Sequence, residues 1–596
     1  MPLFNRTSST RSQRRAAPHG GRAPVAGLDL VARPKLTAAS EQQARAVANG
    51  RRRIGIASAV LLAAFTLLGG RLVELGLTGS GEGHAFAAVH TDTKKFRPEI
   101  LDRNGEVLAT EVYSPSLYAT PRNVIEPEQT ARALASVFPD LDVVQLSADL
   151  ASKRGFVWIR RQVTPKEQAA VHNLGLPGIG VRDELKRIYP NGQIASHVLG
   201  AVNIDNQGVG GMERYIDAHG LTLEAERAPT DMEPVRLSLD LRVQFALRNE
   251  LARGMAEFDA KAAVGVVLDA ETGELIAMSA LPGFDPNNMA AAADEARFRR
   301  ATLGRYEMGS VFKVFTTAAA LDSGKVRISD VFDTRKPIKY ANFEINDFHG
   351  QKRDLTVPEV FMHSSNIGTA KMALEIGRDT HKDYLQRLGL LDRMPLELPE
   401  VGTPMLPSRW TDLSTITISY GHGMSVAPLQ VAAAASAVVN GGLKVEPTLL
   451  KRSAPPKAER VLSHDTSRQM QALLRLVVEK GTGKNADVDA YPVIGKTGTA
   501  EKPVGGHYSR SALITSFLGA FPAYAPRYVT LIMFDEPKPT PDTHGYATAG
   551  WNAAPVTSRV VRRIAPMLGV RPVETAPTRP QWQAPQAPLK IAYQPQ

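Results

Sequence analysis

Three short motifs carry side chains that could perform acyl transfer. The first, Ser310-Val311-Phe312-Lys313, follows Gly309 and opens an apolar run that closes near Asp322-Ser323-Gly324. A glycine there suits a helix C-terminus, so Ser310 is expected to begin a helix. The i, i+3 spacing sets hydroxyl and amine on one helix face, where a desolvated lysine can lose its proton and act as base toward the serine. The helix N-terminus also favours negative charge developing beside it. Alone the motif is weak. About two S-x-x-K matches arise by chance at average composition in a chain this long, and an N-capping serine with a solvated lysine explains it as well.

The second motif, Ser364-Ser365-Asn366, precedes a helical pattern over residues 367–376, so ordinary capping by Ser and Asn accounts for it locally. The third, Lys496-Thr497-Gly498-Thr499, follows Val493-Ile494-Gly495 on an expected strand, where glycine permits close backbone approach. A turn or an edge-strand lysine is the bland alternative. A phosphate loop is excluded because position 490 is Ala where that motif needs Gly. The order S-x-x-K, S-x-N, K-T-G within one domain is what raises the odds, because serine β-lactamases and penicillin-binding proteins share that set.

The elements around these motifs suggest one α/β domain. Strand candidates at 264–269 and 274–279, joined by Glu271-Thr272-Gly273, form an expected central hairpin. Ala-rich helical stretches follow, then strand candidates at 511–520 and 528–535 and a closing amphipathic helix near 551–568. Residues 89–234 read as a mixed module with short strands near 99–101 and 156–159. No repeat of fixed period is found.

Composition narrows the chemistry further. The chain of 596 residues suggests roughly three or four folded units. It has no cysteine, so Ser, Thr, Lys and carboxylates are the available nucleophiles. Of the formal charge of +11, residues 1–53 hold eleven Arg/Lys against two acidic residues, which leaves a near-neutral body and argues against nucleic acid as partner. Arg51-Arg52-Arg53 precede an uncharged run from 54 to 70, and snorkelling by Arg71 extends it to 77, close to the span of about 20 residues a bilayer needs. By the positive-inside rule residues 1–53 are expected in the cytoplasm and everything after 77 outside it. No metal is expected: the thirteen His are scattered without H-E-x-x-H, and His363 and His422 read as local polar contacts.

Beyond its motifs the sequence resembles a class B penicillin-binding protein over residues 97–572. Residues 97–109 (RPEILDRNGEVLA) are similar to the start of the family's extracellular module, with Pro98 in place of the usual Gly. Residues 187–200 (RIYPNGQIASHVLG) and 208–214 (GVGGMER) resemble its second part, and 237–244 (LSLDLRVQ) the entry to the transpeptidase domain. Residues 306–310 (YEMGS) resemble the approach to the nucleophile, with Met308 where proline is common. The S-S-N triplet, residues 420–430 (YGHGMSVAPLQ) and Asp535-Glu536-Pro537 look more like the division-specific FtsI type than the elongation branch.

The resemblance implies a basic cytoplasmic tail (1–53), a transmembrane helix (54–77), an elongated pedestal of dimerisation type (78–234), a transpeptidase domain (235–570) and a Pro/Gln-rich tail (571–596). The transpeptidase domain should be β-lactamase-like, a five-stranded sheet flanked by helices. The implied reaction is cross-linking of peptidoglycan stem peptides, without cofactor, through an acyl-enzyme on Ser310 with Lys313 as base. Backbone N–H groups of Ser310 and Thr499 would hold the oxyanion. Ser364 would relay a proton, Asn366 would hold the peptide amide and Lys313, and Lys496, Thr497, Gly498 and Thr499 would receive the terminal carboxylate. β-Lactams would inhibit by acylating Ser310. With no segment of some 200 residues for glycan polymerisation between anchor and pedestal, a SEDS-type polymerase and other division proteins are the implied partners, at the division site of the inner membrane. An elongation-specific enzyme, and a penicillin sensor or β-lactamase-like acyltransferase, are the alternatives.

Overall fold

The computed structural model describes residues 56–70, 94–225, 229, 232–340 and 343–573. It separates into two compact units, Met1–His90 and Thr91–Gln596. In the first, the described part is a helix over residues 56–70 whose apolar side chains, among them Leu61, Leu62, Phe65 and Leu67, are exposed. Among the described residues no helix is long and apolar enough to cross a membrane. Residues 54–55 and 71–77 of the expected span, the basic stretch 1–53, and residues 574–596 of the expected C-terminal tail lie outside the described residues.

The second unit opens with a sheet of β1 (Ile100–Leu101), β2 (Val107–Ala119), β3 (Val157–Arg160), β4 (Ile179–Ile188) and β5 (Val235–Arg236). Its order is β3-β2-β1-β5, with β4 pairing antiparallel along β2 from Thr110↔Ile188 to Ala119↔Ile179. The strand-like runs near 99–101 and 156–159 are present as β1 and β3. The long β2–β4 ladder lies outside the sequence expectation, because Pro115 interrupts β2 and its exposed residues, Val112 and Tyr113, are apolar while Ser114 and Ser116 are buried, so no alternation marks a buried face. Ladder hydrogen bonds, more than an apolar face, hold it there.

Three segments of the family resemblance meet beside α1 (Gly211–Ala218). Glu213 lies fully buried between two fully buried guanidiniums, Arg97 Nε at 2.8 Å and Arg187 Nε at 2.7 Å. Pro98 is buried in the same knot and its carbonyl accepts from Arg187 Nη2 at 2.9 Å. A carboxylate so placed is tolerable only because both its oxygens are paired. At the N-terminus of α1 the amide of Gly211 donates to both oxygens of Glu400 at 3.3 Å, and Arg299 pairs with Glu400 at 3.3 Å. Arg299 and Glu400 are thereby tied to the start of α1.

The catalytic half is built on β6 (Ala262–Asp269), β7 (Leu275–Leu281), β8 (Ile494–Val504), β9 (His507–Phe521) and β10 (Tyr528–Asp535). These form an antiparallel sheet in the order β7-β6-β10-β9-β8. The expected hairpin exists, but it lies at one side with β7 on the edge. The centre is β10, which reaches β6 across more than 250 residues, a pairing that local sequence signals do not reveal.

The sheet is covered on both faces by helices α2 (Leu241–Glu257), α3 (Lys313–Asp322), α4 (Asn366–Ile376), α5 (Asp412–Ser419), α6 (Pro428–Val439), α7 (His464–Lys480) and α8 (Ala553–Met567). Strand alternation divides the core. Val264, Val266 and Leu268 pack with residues of α3, α6 and α7, whereas Ala263 and Val267 pack with Leu247 and Leu251 of α2 and Val556 and Val560 of α8. Each fully buried Val or Leu contributes about 1.5–3 kcal/mol to this sandwich. α3 lies inside one layer, so every residue from Lys313 to Leu321 is buried.

Candidate active site

Ser310 enters α3 through a 3₁₀ turn, Gly309–Phe312, not through a regular α-helical first turn. Two close approaches shape that turn. Gly309 has φ +52, and a side chain on it would meet Thr499 O of β8 at 2.6 Å. Its amide donates to Gly421 O at 3.3 Å, and a side chain on Gly421 would collide with Gly309 O. From β8, a side chain on Gly498 would meet Met308 O at 2.5 Å and Val311 Cγ2 at 2.8 Å. The glycine of K-T-G is thus what lets the strand lie against the turn that carries Ser310. Ser310 itself is half-buried, and its Oγ has no hydrogen-bond partner among the described residues.

Lys313 and Lys496 are both fully buried, an arrangement lysine avoids unless the site needs it. Lys313 Nζ donates to Ser364 O at 2.5 Å, Asn366 Oδ1 at 2.7 Å and Ser364 Oγ at 3.1 Å. Lys496 Nζ donates to Ser364 Oγ at 3.0 Å and Thr497 O at 3.1 Å. Burial, and then the neighbouring Lys496 charge, push the Lys313 amine well below the ordinary lysine range, with Asp347 pulling the other way. Burial pushes Lys496 down to about 7.

Ser364 is the hub. It has φ +59, a left-handed conformation that costs a non-glycine residue about 1–3 kcal/mol and recurs at functional sites. Its Oγ accepts from both lysines, so its own O–H is left to donate elsewhere. The amide of Asn366 is oriented by the same logic: Oδ1 faces Lys313, and Nδ2 donates to Asn346 O at 3.0 Å. The capping function of S-S-N falls on Ser365 alone, whose Oγ accepts from Gly368 N at 2.9 Å. Ser364 and Asn366 are thereby free for Lys313. On β8, Thr497 Oγ1 pairs with Thr482 Oγ1 at 2.6 Å, and Thr499 Oγ1 accepts from Ala549 N at 3.2 Å.

Two buried amines around one strained serine, beside a serine at a helix start and a threonine-bearing strand, are an arrangement that can carry out acyl transfer, and the comparisons with known proteins give the family that holds it. The family model for the penicillin binding protein transpeptidase domain matches residues 263–562, and that for the penicillin-binding protein dimerisation domain matches 93–215. The probable peptidoglycan D,D-transpeptidase FtsI of Caulobacter vibrioides is 38% identical over 505 residues, covering 83% of this chain and 84% of its own. The chain is a class B penicillin-binding protein. The peptidoglycan D,D-transpeptidase FtsI of Escherichia coli is 30% identical over 80% of this chain and 84% of its own. A crystal structure of penicillin-binding protein 3 from Mycobacterium tuberculosis, complexed with aztreonam, shares the fold with a TM-score of 0.64, at 24% identity, over 81% of this chain and 98% of its own. This penicillin-binding protein is thus an FtsI-like peptidoglycan D,D-transpeptidase.

Several residues of this penicillin-binding protein's site carry no motif. Asp347 accepts from Ser365 Oγ at 2.7 Å and Ile367 N at 2.9 Å, fixing the start of α4 from a loop 17 residues before Ser364. Glu307 accepts from His422 Nδ1 at 3.1 Å, Gly423 N at 2.8 Å and Tyr508 Oη at 2.9 Å. Burial works against ionisation of Glu307, but hydrogen bonds led by His422 hold it below the usual carboxylate range. His422 is the polar contact its sequence suggested, whereas the side chain of His363 makes no hydrogen bond among the described residues. Among the described residues no cluster of three or more His, Asp or Glu could hold a metal ion.

Proposed function

We propose that Ser310 is the nucleophile of this transpeptidase and neutral Lys313 its base. The observation that carries the reading is the burial of both lysines around Ser364. With Lys313 neutral, its two N–H groups serve the nearer acceptors, Ser364 O and Asn366 Oδ1, and the longer contact to Ser364 Oγ must give way for its lone pair to take the Ser310 proton. The Ser310 contact tightens only when substrate fills the cleft. Ser310 Oγ attacks the penultimate D-Ala carbonyl of a stem peptide, and the N–H groups of Ser310 and Thr499 receive the oxyanion. As the C–N bond breaks, a proton passes through Ser364 Oγ to the leaving D-Ala amine. An amine of a second stem peptide then attacks the ester, forming the cross-link and returning the proton to Ser310.

Lys496, Thr497 and Thr499, with Gly498 allowing the approach of β8, receive the terminal carboxylate. An arriving anion favours the charged form of Lys496, offsetting the burial that depresses it. A fluorescent penicillin should label the wild-type chain one-to-one and fail to label Ser310→Ala. Undiminished labelling of that variant would refute the assignment.

The same reading places the chain in the inner membrane by a single span over 54–77, N-terminus cytoplasmic and catalytic domain periplasmic, at the division site. Its support is the Arg-rich stretch before an uncharged run, the outward apolar side chains of the helix at 56–70, and the FtsI-like relatives. A SEDS-type polymerase would supply the glycan. Co-purification of such a polymerase after mild detergent extraction, and midcell localisation of a fluorescent fusion, test these points; lateral-wall localisation would favour the elongation role.

A further inference from the structure

The turn that carries Ser310 is not held by its motif residues alone. Three residues upstream, Glu307 is tied to two other segments of the chain. One is the loop after α5, where its carboxylate accepts from His422 Nδ1 and the amide of Gly423. The other is the arm of the β8–β9 hairpin, where Tyr508 Oη donates to Glu307 Oε1 at 2.9 Å. This arm projects through Gly505-Gly506, both at positive φ. On its other side it is anchored by Lys502, which pairs with Asp535 at 2.6 Å and Glu536 at 2.9 Å.

The backbone on either side of Glu307 repeats the same attachment. Tyr306 and Val426 exchange backbone hydrogen bonds at 2.9 and 3.1 Å, and Gly309 N donates to Gly421 O. Glu307 is the point where nucleophile turn, loop 420–426 and hairpin arm meet. Its side chain is 14% exposed. A carboxylate can only accept, so His422 carries its proton on Nδ1 and Tyr508 must donate.

We propose that Glu307 is a positioning residue for acyl transfer: its carboxylate ties the Ser310 turn to the 420–426 loop and to the β8–β9 arm, setting Ser310 against Thr499 of β8. The inference rests on Ser310 being the nucleophile. It adds that the gap between the turn and β8 is set from outside the three motifs. The attacking oxygen and one oxyanion donor lie on the turn and the other donor lies on β8. Loosening this tie therefore slows bond formation, while the residues that bind the ligand carboxylate stay in place.

The test uses the full chain in detergent and a fluorescent penicillin over a concentration series, separating the pre-covalent dissociation constant from the first-order acylation constant. Glu307→Ala should lower the acylation constant by about tenfold or more and leave the dissociation constant within about threefold. Glu307→Gln keeps an acceptor for Gly423 and Tyr508 and can donate to His422 in its other tautomer, so it should recover to within about threefold of wild type. Tyr508→Phe removes only the arm's tie from an exposed side chain and should lower the acylation constant by about threefold without changing the melting temperature. If Glu307→Ala fails to fold, the Tyr508→Phe and Glu307→Gln results decide. Wild-type acylation constants in both Tyr508→Phe and Glu307→Ala, or in Tyr508→Phe alone where Glu307→Ala does not fold, would overturn the proposal. So would a loss in Glu307→Ala confined to the dissociation constant, or no rescue by Gln. Labelling of Ser310→Ala would instead refute the nucleophile assignment beneath it.

Discussion

Replacing Lys496 by methionine should make the protein more stable while disabling it. In the fold, burial lowers the Lys496 amine from 10.5 to about 7, whereas in the unfolded chain it titrates as an ordinary lysine. At about 1.4 kcal/mol per unit, that difference costs the native state about 4–5 kcal/mol wherever both forms would otherwise be charged. Methionine fills similar space without the charge. It gives up hydrogen bonds to Ser364 Oγ and Thr497 O, worth about 1 kcal/mol each, so the net gain is about 2–3 kcal/mol. For a domain of this size that is a rise in melting temperature of about 3–4 °C. The sign with pH follows from the unfolded state binding the extra proton. The gain of Lys496→Met over wild type is full below about pH 7 and shrinks as pH rises toward 10.5. Melting curves of both proteins at pH 6.5, 8 and 10 (conditions spanning roughly this window), with fluorescent penicillin acylation measured alongside, test it. A Lys496→Met protein that melts at or below wild type near neutral pH, or whose gain is the same at high pH, would refute the reasoning.

Pre-covalent binding of a carboxylate-bearing β-lactam should weaken as pH rises above about 7, because the anion favours charged Lys496, while the acylation step slows as pH falls and Lys313 gains a proton; opposite slopes in a concentration-dependent stopped-flow series check both. Lys313→Ala should lower the acylation constant by about 10²–10⁴ in the same assay, with the dissociation constant little changed. Gly498→Ala sets a methyl against Met308 O and should cost about 1–3 kcal/mol in chemical denaturation together with a fall in acylation. Asp347→Ala removes the acceptor for Ser365 Oγ and Ile367 N and should cost about 1 kcal/mol in the same measurement, with slower acylation because Asn366 begins the helix it holds.

Much of the site was readable because acyl transfer needs particular residue types at fixed spacing. Ser310 and Lys313 share a helix start, and the structure brings Ser364 and Asn366 to Lys313 and Lys496 to Ser364, in the order of the three motifs. Glycine in this strand suits close backbone approach, and the structure shows that Met308 and Val311 of the turn carrying Ser310 are what approach Gly498. Asp347, Glu307 and Tyr508 were not readable. Each acts through a contact made only after folding, and an isolated Asp, Glu or Tyr carries no local pattern. The same distinction holds for the fold. β10 matches the strand candidate at 528–535, but its central place depends on pairing with β6 and β9, which no local pattern encodes. The β2–β4 ladder escaped because its middle turns Val112 and Tyr113 to solvent and buries Ser114 and Ser116, the reverse of the usual alternation. Ser364 escaped as a strained residue because left-handed φ in a serine is imposed by its surroundings, with its amide bound to Phe361 O and that of Ser365 to Val360 O.

The most direct measurement is peptide mapping of the full-length protein after brief exposure to a penicillin, locating the covalent adduct by mass. The acyl group should be found on Ser310, in one copy per chain, and be absent from Ser310→Ala. An adduct on Ser364 or on any other residue, or one that persists in Ser310→Ala, would contradict the role given to Ser310 and to the two lysines arranged around it.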